Sequence, residues 1–477
     1  MQTLLIANRG EVAIRIARAA ALLGMRSVAV HAADEEGALH ASHADQAINL
    51  GAAGPAAYLD IERIVAIALE AGCQAVHPGY GFLSESAAFA ARCADAGLVF
   101  VGPAPAALTL LGDKAESRAL AARCGIPTPP GTDGAADLAA MGAFRESLDG
   151  GALMIKAIAG GGGRGMRVVE AGDDLDTAFE RCAGEARNAF GDDRLYGETA
   201  LRGVRHIEVQ ILGDGANVVH LGERECSIQR QRQKLLEMAP CPGLGEALRA
   251  RLCAAAVTLG QAVAYRGLGT CEFLVDASLD PDAAFHFIEA NPRLQVEHTV
   301  TEEVTGLDLV AAQLRIAAGE SLAELGLDQA PARRGIALQA RINLERLAAD
   351  GTARPSPGTI AAFEPPSGPG VRVDGCGHAG YRANPNFDSL LAKVIAWADD
   401  EDLSVGASRL YHALSEFRID GVETNRALLM SVLRDAAFLA GDIDTRFLED
   451  NMARLLATPE DSHPRRHIET AAPAGTG

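Results

Sequence analysis

The first 110 residues alternate between short apolar runs and longer stretches with helical periodicity. The apolar runs predict four strands, at Thr3–Ala7, Ser27–His31, Gln74–His77 and Leu98–Val101. Apolar residues at helical spacing predict helices at Glu11–Leu23 and Ile61–Glu70. This alternation is typical of a wound α/β unit with a parallel sheet. The turn after the first strand lacks the G-x-G-x-x-G pattern, so we do not expect a nicotinamide cofactor.

From residue 113 the pattern changes to a short helix followed by hairpins. The helix carries Lys114, and a predicted strand at Leu153–Ala157 carries Lys156. A glycine run, Gly160, Gly161, Gly162 and Gly163, separates this strand from a returning one at Met166–Glu170. The run lacks the G-K-[ST] ending and the following helix of a P-loop. We interpret it as a hairpin tip whose N–H groups close over a polyphosphate, with a plain surface turn as the alternative.

Two alternating segments around residue 280 predict a hairpin with facing acidic residues. If Asp276 pairs with Phe285, Glu272 lies directly opposite Glu289, and like charges in that position destabilise a sheet. A divalent cation between them removes the repulsion. Together with Asn291, these oxygen ligands suit Mg²⁺ or Mn²⁺ carrying a nucleotide phosphate. An ordinary hairpin with solvated acids is the alternative.

The residues after this hairpin predict a small-anion site. Pro292 disfavours helix for the residue before it, and we expect an extended arm in which Arg293, Gln295 and Glu297 share one face. Upstream, every second residue from Arg230 is basic: Arg230, Arg232 and Lys234. Such a run in an acidic chain indicates contact with an anion, although a solvated edge strand has a similar pattern.

Three other features of the chain receive structural interpretations. We interpret Arg15 and Arg18 as a solvated face of the first helix, with a subunit contact as the alternative, and the pattern around Tyr80 favours packing over substrate contact. A third region begins near Gly335 with a strand that carries Arg341. Helices are predicted around Ser404–Phe417 and Asn425–Asp435, followed by a small, polar tail that we expect to be disordered.

Composition narrows the classes of function. The formal net charge of −20 argues against non-specific binding to nucleic acid or to an anionic membrane. No signal peptide and no apolar run of membrane-spanning length is present in the sequence. The nine cysteines are scattered and include no C-x-x-C, which favours buried thiols in a reducing cytoplasm over disulfides or zinc ligands.

The lysines are few and informative. Of 43 basic residues that are Lys or Arg, only four are lysines: Lys114, Lys156, Lys234 and Lys393. A chain with this bias uses arginine wherever either base serves. The remaining lysines are therefore candidates for positions that need a compact point charge, such as a contact with a phosphate oxygen.

Seven segments of the chain, taken in order, resemble the biotin carboxylase family. They are IANRGEVAIRI, HPGYGFLSES, KAIAGGGGRGM, HIEVQILGDG, ERECSIQRQRQK, EANPRLQVEH and ARIN. The resemblance extends over about residues 1–450. It implies an α/β (α+β) protein with the ATP-grasp fold, in which a Rossmann-like N-terminal domain precedes a mobile lid and a C-terminal α+β domain. The implied boundaries are 1–112, 113–330 with the lid at about 131–203, 331–450, and a tail at 451–477.

The resemblance also implies a role for individual residues. Lys114, Lys156 and Gly160 to Gly163 would hold the ATP phosphates, while Glu198 and Leu201 would meet adenine through their backbone. His206 and Gln229 would lie near the ribose, and Arg232 near the nucleotide. Glu272, Glu289 and Asn291 would bind Mg²⁺ or Mn²⁺. Bicarbonate would contact Lys234, Arg293, Gln295, Val296 and Glu297, with Glu297 as general base, and biotin would meet Arg341 and Tyr80.

The chain departs from the family pattern at a few positions. Arg232 stands where a His is usual, Thr199 where a Lys is common, and Met238 where an acid is common. These changes affect the expected affinity for the nucleotide more than the chemistry. No role is assigned to Lys393.

The expected partners follow from what the sequence lacks. No Met-Lys-Met biotin-attachment sequence is present, so biotin is expected on a separate carrier protein or domain, which a carboxyltransferase then uses. A homodimer in the cytoplasm is also implied by the resemblance. The alternatives are another ATP-grasp ligase, similar to carbamoyl-phosphate synthesis, and a non-catalytic subunit of a carboxylase assembly.

Overall fold

A parallel sheet forms the N-terminal part of the protein, whose computed structural model describes residues 1–159, 165–348 and 351–457. The strands are β1 (Thr3–Ile6), β2 (Arg26–His31), β3 (Gln46–Asn49), β4 (Ala75–His77) and β5 (Val99–Phe100). Their spatial order is β3-β2-β1-β4-β5, the arrangement of a Rossmann-like unit. The accompanying helices are α1 (Gly10–Leu22), α2 (Leu39–Ser42), α3 (Ile61–Glu70), α4 (Ala87–Asp95) and α5 (Pro105–Gly112). The predicted wound α/β unit is confirmed.

One strand of this sheet escaped prediction. Strand β3 pairs in parallel with β2 at the edge of the sheet, and none of its four residues is fully buried. An edge strand that is only half-covered, with Ile48 packed against the N-terminal core, lacks the apolar run by which the other strands were found. The strand predicted as third is therefore the fourth.

A small module with its own sheet follows. Its elements are α6 (Lys114–Arg123), α7 (Leu138–Ser147), β6 (Leu153–Ala157), β7 (Met166–Val169), α8 (Leu175–Phe190) and β8 (Leu195–Thr199). The three strands are antiparallel in the order β7-β6-β8. The two strands predicted around the glycine run are confirmed. Gly160, Gly161, Gly162 and Gly163 lie outside the described residues.

An eight-stranded antiparallel sheet joins the middle of the chain to its C-terminal part. The middle contributes β9 (Val204–Asp214), β10 (Val218–Arg230), β11 (Gln233–Ala239), α9 (Glu246–Ala262), β12 (Arg266–Asp276), β13 (Phe285–Asn291), α10 (His298–Thr305) and α11 (Leu309–Ala317). Strands β14 (Ile336–Asn343), β18 (Val371–Gly375) and β19 (Leu390–Ala398) complete the order β13-β12-β9-β10-β11-β14-β19-β18. The sheet is continuous across the boundary predicted at residues 330 and 331.

The C-terminal part packs helices against this sheet. Its other elements are β15 (Glu345–Leu347), β16 (Ala353–Pro355), β17 (Ala362–Glu364), α12 (Leu403–Glu416), β20 (Arg418–Asp420), α13 (Arg426–Val432), α14 (Ala436–Leu439) and α15 (Phe447–Leu456). Apolar side chains of α12 and α13 form one buried cluster with those of β14 and β19. Helix α15 includes residues 451–456, so the predicted disordered tail begins too early. Residues 458–477 lie outside the described residues.

One prediction and one alternative about basic residues are wrong. The edge strand considered as the alternative for Gln229 to Lys234 does not form, because Gln231 and Arg232 have positive φ angles of 48° and 65° and make the turn between β10 and β11. Arg15 is not solvated: it is 6% exposed and donates to Glu302 and Asp308. A basic residue on a helix face is solvent-exposed only where no other element packs on that face. Helix α11 packs against α1.

The prediction of buried thiols rather than disulfides is confirmed. All nine cysteines are unpaired thiols, and eight of them are buried. Burial raises the pKa of Cys271 to about 12. Among the residues that the structure describes, no helix combines the length and the hydropathy needed to cross a bilayer.

Candidate active site

Two acidic side chains face each other across the hairpin of β12 and β13. Glu272 pairs with Glu289, as predicted. The register on the loop side differs from the predicted one by a residue, because Phe285 pairs with Val275. A β-bulge at Ile288 shifts the register back, and this shift brings the two carboxylates opposite each other.

Side-chain cations compensate these carboxylates. Lys234 Nζ lies 2.9 Å from Glu272 Oε1, and His206 Nε2 lies 2.8 Å from Glu272 Oε2. On the other strand, Lys114 Nζ lies 3.5 Å from Glu289 Oε2. Burial opposes the ionisation of Glu272, but Lys234 and His206 outweigh it and hold the pKa of that carboxyl well below its usual value. The ammonium groups of Lys234 and Lys114 thus lie where the sequence prediction placed a divalent cation.

Lys234 is the centre of the acidic cluster. Its Nζ donates to Glu208 at 2.6 Å, to Glu272 at 2.9 Å and to Glu297 at 2.6 Å. Burial disfavours the ammonium, yet the three carboxylates together raise the pKa of Lys234 well above its usual value. Glu208 is fully buried and was missed by sequence reasoning. It shares one face of β9 with His206, and this polar alternation in a buried strand is the signal that identifies it.

The segment after β13 is a turn, not the predicted extended arm. Strand β13 ends at Asn291 and α10 begins at His298, with Glu297 at φ −85° and ψ 6°. Pro292 restricts only the residue before it, so the chain is free to turn beyond it. The predicted side chains nevertheless meet, because the turn folds them back over β12.

Glu297 lies between two cations. It is fully buried and accepts from Lys234 and from Arg341 Nη2, the latter at 3.1 Å. Burial would raise its pKa, but Lys234, Arg341 and Arg224 outweigh burial and hold the pKa of Glu297 well below its usual value. Arg341 also donates to the buried Glu237. Burial raises the pKa of Glu237, with Arg341 opposing it in part. Glu297 is therefore the carboxylate that Arg341 and Lys234 keep ionised.

Arg293 connects the turn to the N-terminal sheet. Its guanidinium donates to Glu85 at 2.6 Å, to Asn291 at 3.1 Å and to Gln295 at 3.3 Å. Gln295 in turn donates to Glu272 at 3.3 Å. Glu85 was not predicted, although it belongs to the segment HPGYGFLSES that carried part of the resemblance. The site is thus built from two parts of the chain about 200 residues apart.

The lid side contains a second buried ion pair. Lys156 pairs with Glu198, which also accepts from Arg118 Nη1 at 2.8 Å. Glu198 is 2% exposed, and its backbone lies in β8. Its buried carboxylate therefore fixes the position of the Lys156 ammonium. Leu201 follows this strand and is half-buried.

Side chains from β9, β10 and their hairpins extend the site toward the lid. Gln229 Nε2 lies 2.7 Å from His206 Nδ1, which joins the two residues implied near the ribose. At the β10–β11 turn, Arg232 donates to the Met166 carbonyl at 2.9 Å and reaches Met154 Sδ at 3.6 Å. Both partners belong to strands of the small module, β7 and β6, so Arg232 contacts that module.

Tyr80 completes the opposite side. Its hydroxyl donates to Glu11, and its burial together with Glu11 raises its pKa well above the usual value. Glu11 Oε2 lies 3.1 Å from Lys393 Nζ, and Lys393 donates to the Val296 carbonyl at 3.0 Å. The packing predicted for Tyr80 and its implied position beside the site are both compatible with this arrangement.

The donor set fits a metal-bound polyphosphate and a small anion. Carboxylate and amide oxygens of Glu272, Glu289 and Asn291 are the hard ligands that Mg²⁺ and Mn²⁺ prefer. The four lysine side chains are each 11% exposed or less, although lysine is ordinarily a surface residue. The ammonium groups of Lys114, Lys156 and Lys234 suit phosphate and carboxylate oxygens.

Three family models match the chain in order. They are the biotin carboxylase N-terminal domain over residues 1–108, the ATP-binding domain of the carbamoyl-phosphate synthase L chain over 113–325, and the biotin carboxylase C-terminal domain over 339–450. The biotin carboxylase of Nostoc sp. is 45% identical over 449 residues, which are 94% of this chain and 98% of that protein. Human mitochondrial pyruvate carboxylase is also 45% identical, but this chain spans only 38% of its length.

Solved structures agree with the sequence comparison. The biotin carboxylase domain dimer of Hydrogenobacter thermophilus 2-oxoglutarate carboxylase, in complex with MgADP, ADP and bicarbonate, has a TM-score of 0.90 and 41% identity over 95% of this chain and 98% of that one. Biotin carboxylase from Campylobacter jejuni has a TM-score of 0.88 and 38% identity over 94% and 98% of the two chains. The protein therefore has the ATP-grasp fold and belongs to the biotin carboxylase family of ATP-dependent ligases.

Proposed function

We propose that the protein uses ATP and bicarbonate to carboxylate biotin on a separate carrier, the first half-reaction of an acyl-CoA-type carboxylase. The observation that carries the proposal is the chain of contacts from Glu272 through Lys234 and Glu297 to Arg341. It joins a set of metal-type ligands, a buried ionised base and a guanidinium within one site. Bicarbonate in the complex of the Hydrogenobacter domain supports the same assignment.

The nucleotide would lie between the lid and the large sheet. Lys114, Lys156 and Gly160 to Gly163 would hold its phosphates, and Glu198, Leu201, His206, Gln229 and Arg232 would surround the nucleoside. Glu272, Glu289 and Asn291 would bind Mg²⁺ or Mn²⁺, which spreads the charge of the transferred phosphoryl group when bound. Lys114 and Lys234 would then exchange contact with these carboxylates for contact with phosphate and bicarbonate.

Bicarbonate would enter beside Lys234, Arg293, Gln295 and the Val296 backbone. Glu297, kept ionised by its cations, takes the bicarbonate proton while the bicarbonate oxygen attacks the γ-phosphorus of ATP. The bond to the β-phosphate oxygen breaks, which gives carboxyphosphate and ADP. Carboxyphosphate then separates into CO₂ and phosphate, and exclusion of water by a closed lid protects it until that step.

Biotin would approach from the side of Tyr80 and Arg341. The phosphate released from carboxyphosphate takes the proton of the biotin ureido nitrogen, and this nitrogen attacks CO₂. Arg341 stabilises the negative charge that develops on the ureido oxygen. Its contacts with Glu237 and Glu297 hold the guanidinium in a fixed orientation for that role.

The proposed partners are a biotin carrier and a carboxyltransferase. The four lysines of these 477 residues are all enclosed in the fold, so none is presented as an attachment point for biotin. A homodimer is proposed by analogy with the Hydrogenobacter domain dimer. Nine unpaired thiols support a reducing, cytoplasmic compartment.

Replacing the proposed base gives the most direct test. We expect Glu297→Gln to lower bicarbonate-dependent ADP release by about 10² or more, because a general base commonly contributes that much. The control is Glu246→Gln, which removes a carboxylate that is 78% exposed on α9, and its activity should equal that of the parent. Wild-type ADP release by Glu297→Gln would contradict the assignment of the base.

Free biotin and ammonia separate the proposed function from its alternatives. Stimulation of ADP release by biotin supports a biotin carboxylase, whereas stimulation by ammonia would indicate a carbamoyl-phosphate-like ligase. A non-catalytic subunit would show neither, and Arg232 and Thr199 at the nucleotide site are the reason to test for it. Calorimetric binding of ATP with Mg²⁺ then distinguishes a protein that binds the nucleotide from one that has lost the site.

A further inference from the structure

Lys393, which received no role in the sequence analysis, is the most deeply buried of the four lysines. Lys393 lies on β19 and is fully buried. Burying an ammonium is unfavourable unless it is paired and hydrogen-bonded. In a chain that uses arginine at 39 other basic positions, an enclosed lysine indicates a place where a small, fixed charge is needed.

Lys393 contacts the bicarbonate side of the proposed site directly and the biotin side through Glu11. Its Nζ donates to the Val296 carbonyl at 3.0 Å, in the peptide that immediately precedes Glu297. The same Nζ lies 3.1 Å from Glu11 Oε2, close in distance though poorly aligned for a hydrogen bond. The other oxygen of Glu11 accepts from the Tyr80 hydroxyl. One ammonium therefore touches the bicarbonate turn directly and reaches the biotin-facing tyrosine through a single carboxylate.

The register of the large sheet places Lys393 beside the third element of the site. Lys393 is directly opposite Arg341 on β14 and opposite Asp374 on β18. Like charges on neighbouring strands repel, so anions must compensate the pair. Glu11 and the buried Asp374 do this for Lys393, while Glu237 and Glu297 do it for Arg341. The distance between the two cations is thus fixed by strand pairing.

We propose that Lys393 is a positioning residue that orients the bicarbonate and biotin halves of the site together; this inference rests on the proposed function. By holding the Val296 carbonyl, it fixes the plane of the peptide between Val296 and Glu297, and with it the backbone from which the Glu297 side chain projects. By holding Glu11, it fixes the Tyr80 hydroxyl. Lys393 touches neither substrate, so it acts through these groups alone.

The test removes the ammonium of Lys393 and measures the KM for each substrate. Lys393→Met keeps the length and the apolar stem of the side chain. We expect the KM for bicarbonate and the KM for free biotin each to rise about tenfold, the effect of losing one charge-assisted contact. The KM for ATP should stay within about twofold, since Lys393 contacts none of the proposed ATP ligands.

A double variant keeps the test informative if the single one folds poorly. Lys393→Met leaves Glu11 as a buried carboxylate without its cation, which destabilises a fold. Adding Glu11→Gln makes the pair neutral, and this double variant should fold and show the same two raised KM values. Tyr80→Phe added to Lys393→Met should raise the biotin KM no further, because both changes break one path.

Arg205→Met is the matched control. Arg205 is a buried cation that pairs with Glu225 at 2.7 Å, on the opposite face of β9 from His206. The substitution Arg205→Met should lower the thermal stability and leave the KM of every substrate unchanged. Folded Lys393 variants with parental KM values for both substrates would overturn the inference alone. A parent protein without bicarbonate-dependent ADP release would overturn the proposed function and the inference with it.

Discussion

At the scale of single residues, the site is a balance of buried charges. Glu208, Glu272 and Glu297 surround Lys234, and none of the three is more than 5% exposed. Desolvation on this scale is tolerable only because every charge meets an opposite one. The same geometry places an ammonium group beside each member of the facing pair predicted from the sequence.

Removing Lys234 should therefore affect stability as well as activity. We expect Lys234→Met to lower the thermal midpoint by about 5 °C or more, because a broken buried ion pair costs about 3 kcal/mol. Mg²⁺ should restore more of the midpoint in the variant than in the parent, since the carboxylates then lack their ammonium. Differential scanning calorimetry with and without Mg²⁺ measures both effects.

A surface ion pair supplies the comparison for that experiment. Arg187 pairs with Asp193 at 2.6 Å, but its side chain is 64% exposed. Exposed pairs contribute little, so Arg187→Met should change the midpoint by about 1 °C or less. A Lys234→Met midpoint equal to that of the parent would show that the carboxylate cluster is protonated rather than ionised.

At the scale of elements, the β10–β11 hairpin connects the large sheet to the lid. Gln231 and Arg232 both adopt left-handed backbone angles, which side chains other than glycine and asparagine rarely accept. Only Arg232 reaches across to the lid, where it contacts Met166 and Met154. The hairpin thus accepts an unfavourable turn residue at a position that touches a neighbouring element.

Two glycine substitutions separate strain from contact in this hairpin. Both Gln231→Gly and Arg232→Gly relieve left-handed strain of about 1 kcal/mol and should raise or preserve the thermal midpoint. Only Arg232→Gly loses the lid contact, and we expect its KM for ATP to rise about fivefold. Steady-state kinetics of the two variants makes the comparison. An unchanged KM for ATP in Arg232→Gly would mean that the lid does not depend on this contact.

At the scale of the whole molecule, three buried histidines come from different parts of the fold: His40 from α2, His77 from β4 and His298 from α10. Burial, reinforced by Arg9, lowers the pKa of His40 to about 4, and burial lowers the pKa of His77 to about 3. Burial and the nearby Lys393 hold the pKa of His298 well below its usual value. In the unfolded chain these groups take up protons near pH 6.5, so protons favour the unfolded state as the pH falls below that value.

The protein should accordingly lose stability in mild acid. Each buried neutral histidine opposes folding by about 1.4 kcal/mol per pH unit below 6.5, until its own folded pKa is reached. We expect the thermal midpoint of the parent protein to fall as the pH is lowered from 7.5 to 5.5. The midpoint of His40→Gln should fall less steeply over the same range. His43→Gln, at an exposed position directly after the same short helix, is the control and should follow the parent. Equal slopes for His40→Gln and the parent would contradict this account.

Much of the site could be predicted from the sequence because its signals are local. The lysine census singles out four enclosed side chains, and the alternation around Glu272 and Glu289 places both carboxylates on the paired strands of one hairpin. Local patterns did not reveal Glu85 or the role of Glu11, because each meets its partner only after distant segments pack. The prediction for Arg15 was wrong for the same reason, because the packing of α11 on its helix is visible only in the tertiary structure.

The sequence by itself determined the wound N-terminal unit, the hairpins and most of the charged groups, since periodicity and composition depend on neighbours along the chain. Only the tertiary structure decided how the charges are paired. A bulge at Ile288 set the register of the two carboxylates, a turn after Pro292 delivered Glu297 to Lys234, and sheet pairing put Lys393 beside Arg341. Ion pairing acts over a few ångströms in space, and separation along the chain does not encode that distance.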